Sequence, residues 1–132
     1  MNDFIKNTSH TIDKKRLEIS KLQSEIRELC FECVYKQKDI TIGDLIYIPS
    51  KNKYGIFSEL HNEDVNNLVI KSNLLTKQGM PSKNITTVSI NDLEKVTETI
   101  ENIVTNNFSG EDFEPQKSIN VCKEVINNLK NK

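Results

Sequence analysis

The 132-residue chain has no alanine and no tryptophan, and it holds only four glycines, three prolines, three cysteines and two arginines. Each scarcity closes a route. Four scattered glycines cannot build the Gly-rich loops that cradle phosphates, and no G-x-x-x-x-G-K-[ST], G-x-S-x-G or H-E-x-x-H motif is present. Nucleic-acid binders carry a basic footprint and use arginine for bidentate contacts to phosphate and guanine. Here Arg16 and Arg27 are the whole arginine complement, and eighteen basic against nineteen acidic residues leave a net charge of −1. Nucleic acid is therefore an unfavoured partner. No run approaches the roughly 18 apolar residues of a membrane span, so no membrane is expected. Met1–Lys6 has no apolar run of signal-peptide length. With three cysteines and no paired framework, a reducing, cytoplasmic location is expected. The lack of alanine beside abundant Asn, Lys and Ile is the composition of an AT-rich genome, as in a low-GC bacterium or one of its phages or plasmids.

What the chain does have is a heptad. Ile5, Ile12, Ile19, Ile26 and Cys33 recur every seven residues, and Leu22 and Leu29 fill intermediate positions of the same stripe. From Thr11 to Lys36 there is no Gly or Pro, and Glu, Lys, Leu and Ile dominate, which predicts one long helix. Residues 1–10 read as a polar lead-in, with Thr8, Ser9 and Thr11 as candidate caps. Glu18, Glu25 and Glu32 flank the stripe on one side and Arg16, Gln23 and Cys30 on the other, while Lys15 and Lys36 interrupt it toward its ends. So narrow a stripe needs a cover. The candidates are a second copy in a coiled coil, another protein, or the chain's own C-terminal helices.

Ile, Leu, Val and Phe make up about 30% of the chain, enough for a modest core, and the length suits one domain over 1–132. Residues 1–37 form the heptad helix, 38–90 a β-rich segment, and 91–132 two C-terminal helices. After the heptad the apolar period changes to alternation. Ile40, Ile42, Leu45 or Ile46, and Ile48 mark a strand ending at Pro49, and Tyr54–Leu60 the returning strand of a hairpin over 40–60. Asn67–Lys71 reads as a third strand, Ser72–Lys83 as a looser stretch around Gly79-Met80-Pro81, and Asn84–Ser89 as a fourth strand. Asn91, with Glu94 three residues on, suggests a capping box opening a helix with Leu93, Val96, Ile100, Ile103 and Val104 on its apolar face. A last helix runs from Pro115 or Ser118 to Leu129. There are no internal repeats. The fold expected is α+β: a long N-terminal helix, a small antiparallel sheet or partly closed small barrel of about four strands, and two C-terminal helices.

Few residues carry chemistry. Cys30-Phe31-Glu32-Cys33 is a C-x-x-C, but zinc needs about four ligands, and a redox pair sits at a helix N-terminus rather than near a C-terminal end. Both sulfurs are expected to fill the buried seam of the heptad, since free cysteine behaves as a small hydrophobe. His61, among Glu59, Glu63 and Asp64, reads as a solvated turn, and His10 has no neighbouring constellation. The run Gly43-Asp44-Leu45-Ile46-Tyr47-Ile48, followed by Lys53-Tyr54-Gly55-Ile56-Phe57, resembles the opening hairpin of small Src-homology-three-like barrels. That resemblance implies a barrel that binds peptides, nucleic acid or only its own chain, with Gly55 at a bulge or bend.

These observations lead to the expectation of a non-catalytic intracellular protein-interaction or inhibitory module, of the kind a phage or mobile element carries, with no metal and no cofactor. Its expected partner-binding residues are Ile12, Ile19, Leu22, Ile26 and Leu29 on the helix, and Tyr54, Leu74, Leu75, Lys77 and Met80 from the sheet and its long loop. Another protein, a second copy, or both are the expected partners. The alternative is a small barrel that binds nucleic acid or a nucleotide ligand through Lys51, Lys53, Tyr54 and the Lys71–Lys83 loop.

Overall fold

The computed structural model describes residues 2–132. Met1 of the polar lead-in lies outside the described residues. Helix α1 runs over Asn2–Lys38. It begins nine residues before the expected start because nothing between Asn2 and Thr11 breaks it. Thr11 does not cap: its hydroxyl donates back to the Asn7 carbonyl at 2.9 Å, the interior pattern of a helical threonine. The helix ends where Asp39 takes a left-handed conformation (φ 56°) and its N–H closes on the Tyr35 carbonyl at 2.7 Å. Asp39 then pairs with Lys95.

Four strands follow as an antiparallel meander: β1 (Leu45–Ile48), β2 (Lys53–Leu60), β3 (Val69–Leu75) and β4 (Pro81–Ser89). A 3-10 turn at Ile90–Asp92 leads to β5 (Glu94–Lys95), and then come α2 (Ile100–Asn107) and α3 (Pro115–Lys130). The spatial order is β4-β3-β2-β1-β5. The sheet is antiparallel, five-stranded and not closed, so the fold is α+β and the partly closed barrel does not form.

Several boundaries depart from expectation for local reasons. Ile40–Asp44 is a turn rather than the start of a strand. Gly43 sits at φ 93°, and the Asp44 carboxylate accepts from the Thr41 N–H at 2.8 Å. Ser72–Lys83 is not loose. Thr76 and Gly79 close a tight turn, with Thr76 N–H to Met80 carbonyl at 2.7 Å, and the strands run up to it on both sides. The capping box at Asn91 does not form. Ser89 caps a short 3-10 turn, Glu94 and Lys95 pair with Tyr47 and Ile46 on the free edge of β1, and the helix starts only after Thr99, whose side chain caps Asn102.

The sheet separates two cores. On one face Ile46, Ile48, Phe57, Leu60, Ile70 and Val88 pack with Cys30 and Val34 of α1. On the other face Ile56 and Leu75 meet Ile100, Ile103 and Val104 of α2 and Ile119 and Cys122 of α3. The C-terminal helices thus lie across the sheet from α1. The bulge falls between Phe57 and Glu59, not at Gly55, which pairs regularly with Ile46 and Leu74. Gly55 is needed for close approach instead. A Cβ there would meet the Oγ of Ser72, a buried side chain that donates to the Ile56 carbonyl at 3.0 Å.

Gly55→Ala should therefore lower unfolding stability by about 1–3 kcal/mol through overpacking. Urea denaturation reads the loss, and adding Ser72→Ala should recover part of it because the clash is with that hydroxyl.

Candidate functional site

Helix α1 is 37 residues long, about 55 Å at 1.5 Å per residue. The rest of the described chain, some ninety residues, has a radius of gyration near 12 Å and so a diameter of about 32 Å. The helix outruns the body it is attached to. Attachment begins at Arg27, whose guanidinium pairs with Glu59 and lies 5.1 Å over the Phe31 ring. Phe31 in turn packs against Phe57, ring centroids 6.2 Å apart. Cys30 and Val34 are fully buried one turn apart. Before Arg27 every described residue of the helix is exposed. Asn2–Ile26, about 37 Å of helix, stands clear of the body.

Two separate stripes share α1. Arg27, Cys30, Phe31 and Val34, at i, i+3, i+4 and i+7, form the face that docks on the sheet. The heptad residues lie on another face, turned by roughly 120° from the first at the level of Ile26 and Leu29, by the angular spacing of a 3.6-residue turn. The expectation that both cysteines belong to the heptad stripe is corrected at Cys30, which lies in the core beneath the sheet, while Cys33 is half-buried at the edge of that core. Ile5, Ile12, Ile19, Leu22, Ile26 and Leu29 keep 44 to 58% of their surface exposed. The C-terminal helices do not cover them, because α2 and α3 are committed to the opposite face of the sheet.

The projecting helix has little to hold it by itself. Most helical stability in proteins comes from tertiary packing of an apolar face, and the projecting segment has no such packing and no alanine. Its i,i+4 charge pairs, Lys14 with Glu18 and Lys21 with Glu25, run in the weaker order with the base toward the N-terminus, while the i,i+3 pairs Asp13–Arg16 and Glu18–Lys21 run acid first. The well-ordered pair, Glu32 and Lys36 at 3.0 Å, lies in the docked part.

The other five expected partner residues do not form one surface. Leu75 is buried in the second core, and Leu74 is half-buried against the first. Tyr54 is half-buried, 5.0 Å from the Tyr47 ring, and burial raises its phenol pKa. Met80 is half-buried and Lys77 exposed. The β3–β4 turn is pinned to α3: Ser118 donates to the Gln78 carbonyl at 2.7 Å and the Cys122 thiol to the Gly79 carbonyl at 3.3 Å.

Lys53 and Lys77 do converge, on a cleft of about 340 Å³ with Phe108. Sequence reading missed Phe108 there because it lies more than thirty positions from Lys77. Two lysines neutralise at most two phosphates, a salt slope of roughly −1.8, which is shallow for a nucleic-acid site. A larger cleft of about 620 Å³ is lined by Arg27 and Phe31 of α1, Ile42, Glu59 and Leu129 of α3 among others. Two of the three cations that line it are already engaged, Arg27 by Glu59 and Lys130 by Asp44 at 3.1 Å, which leaves Lys132 at its rim.

Catalytic chemistry finds no assembled set. His61 and His10 are both exposed. Glu59 is taken by Arg27 and the Leu60 N–H, and Asp64 accepts from the Asn66 N–H. Among the described residues no group of three His, Cys, Asp or Glu is placed to hold a metal, and no helix is long and apolar enough to cross a membrane. Comparison with protein-family models, with curated proteins and with solved structures returns no match.

The three free thiols differ in environment. Burial pushes the Cys122 thiol up to about 11, and burial, followed by the charges of Glu63, Cys33 and Asp64, raises that of Cys30. A thiol reagent at mildly alkaline pH should label Cys33 first, and Cys33→Ser should remove that fast phase, followed by mass spectrometry. Cys30 and Cys122 should label only under unfolding conditions.

Proposed function

We propose that the protein is a non-catalytic protein-interaction module, in which a small α+β body carries a projecting helix that engages a partner. One observation carries this reading: an Ile and Leu stripe about 37 Å long lies exposed on α1, most of it on the segment Asn2–Ile26 that stands clear of the body. Exposed apolar surface of that extent is costly unless it is covered in use. The helix would gain from the partner the stability that its own sequence does not supply. An inhibitory role fits the same architecture, since a body held at the end of an occupied helix can obstruct whatever the helix is bound to.

The test is affinity capture from the native host with two baits, the wild-type chain and Ile19→Lys/Ile26→Lys. Both substituted positions are solvent-exposed and belong to neither core, so the thermal unfolding of the body should be unchanged. Proteins retained by the wild type, a second copy of this chain among them, should fall by at least about tenfold with the variant, because two apolar anchors are lost. Equal capture by both baits would shift the interaction to the body and sink the role assigned to the helix.

A further inference from the structure

The uncovered stripe of α1 has a layer pattern that selects its partner. Resting on the interaction-module reading, we propose that the stripe pairs with the same stripe of a second copy of this chain, as a parallel, in-register, two-stranded coiled coil over residues 5–29.

Three features point to this occupant. The first is residue type. Ile5, Ile12, Ile19 and Ile26 occupy one heptad position, and Leu22 and Leu29 the other in its last two turns. β-Branched residues at the first position with leucine at the second favour two parallel strands.

The second feature is layer matching. The polar breaks Thr8 and Lys15 both lie at the leucine position. In parallel register each faces its own copy, and the layers Ile19, Leu22, Ile26 and Leu29 then run unbroken. Antiparallel pairing opposes the two heptad positions, which sets Thr8 and Lys15 against isoleucine and spoils apolar layers. The facing Lys15 side chains can keep their stems in the interface and their ammonium groups in water.

The third is flank charge. Parallel pairing places each flanking residue opposite the other flank of the second copy, one heptad on: Thr11 against Arg16, and Glu18 against Gln23. No like charges meet. Antiparallel pairing sets the glutamate flank, Glu18 and Glu25, against itself. The docking stripe supports the same geometry. Because Cys30 turns into the body, the pairing stops near Leu29, and Ile26 and Leu29 stay exposed beside the docked face.

The experiment joins mass, helicity and a cross-link on the full chain. Light scattering should give twice the chain mass for the wild type and the single mass for Ile19→Lys/Ile26→Lys. Helical ellipticity should fall on dilution of the wild type, because a helix held by a second copy depends on concentration. With Cys33→Ser as background, Ile12→Cys should form a reducible dimer on mild oxidation, absent from the Cys33→Ser chain treated alongside. Antiparallel pairing would hold the two introduced thiols about 15 Å apart along the axis, beyond disulfide reach.

A monomeric wild type with concentration-independent helicity overturns the second copy as partner. If capture by the wild-type bait is still lost in the lysine variant, the interaction-module reading survives with a different partner; if capture is unaffected as well, both fail. A dimer that gives no Ile12→Cys cross-link overturns the parallel register.

Discussion

The whole arrangement depends on how little of α1 is docked. Cys30 and Val34, fully buried one turn apart, seat the helix on the sheet, with Phe31 against Phe57 and Arg27 tied to Glu59. That face spans only the last three or so turns. Everything N-terminal to it is held by the helix backbone and by no tertiary contact. Had the docking face been the heptad stripe itself, the chain would be closed upon itself with nothing left to offer. Because the two stripes diverge around the helix, docking and exposure coexist on one element.

The sheet makes this division possible by being two-sided. One face receives the end of α1, and the other is covered by α2 and α3. Each C-terminal helix spends its apolar face on Ile56 and Leu75, so neither is free to cross over and cover the heptad stripe. The short β5 seals the free edge of β1 where an unpaired backbone would stand beside the Asp39–Lys95 pair. The β3–β4 turn, fixed to α3 through Ser118 and Cys122, is equally committed. What the body leaves outside its own packing is chiefly the helix.

A body at one end of a long exposed apolar stripe is the arrangement on which the proposed association rests. Its shape brings two consequences. Parallel pairing of two such helices would put both bodies at one end, leaving the N-terminal tips together. The stability of the projecting part would then be set by the partner and not by the chain, so order in this region and occupancy become one event.

Much of the fold was legible in the sequence because it rests on short-range pattern. The seven-residue repeat is visible from Ile5 to Cys33, the alternation of Ile46 and Ile48 marks a strand, and Pro115 opens α3. The missed parts are long-range. A two-residue strand such as Glu94–Lys95 has no periodicity, and it exists only because β1 offers an edge. The strand reach of β3 and β4 depends on a turn that α3 holds down. Leu75 looked as available as Leu22 in sequence, and only its place beneath α2 and α3 makes it core. By itself, the sequence determined that a long helix with a narrow apolar stripe exists, since helical periodicity is a property of the chain alone. Whether that stripe is covered was decided by tertiary structure, because covering it depends on which face of the sheet each of the other helices occupies.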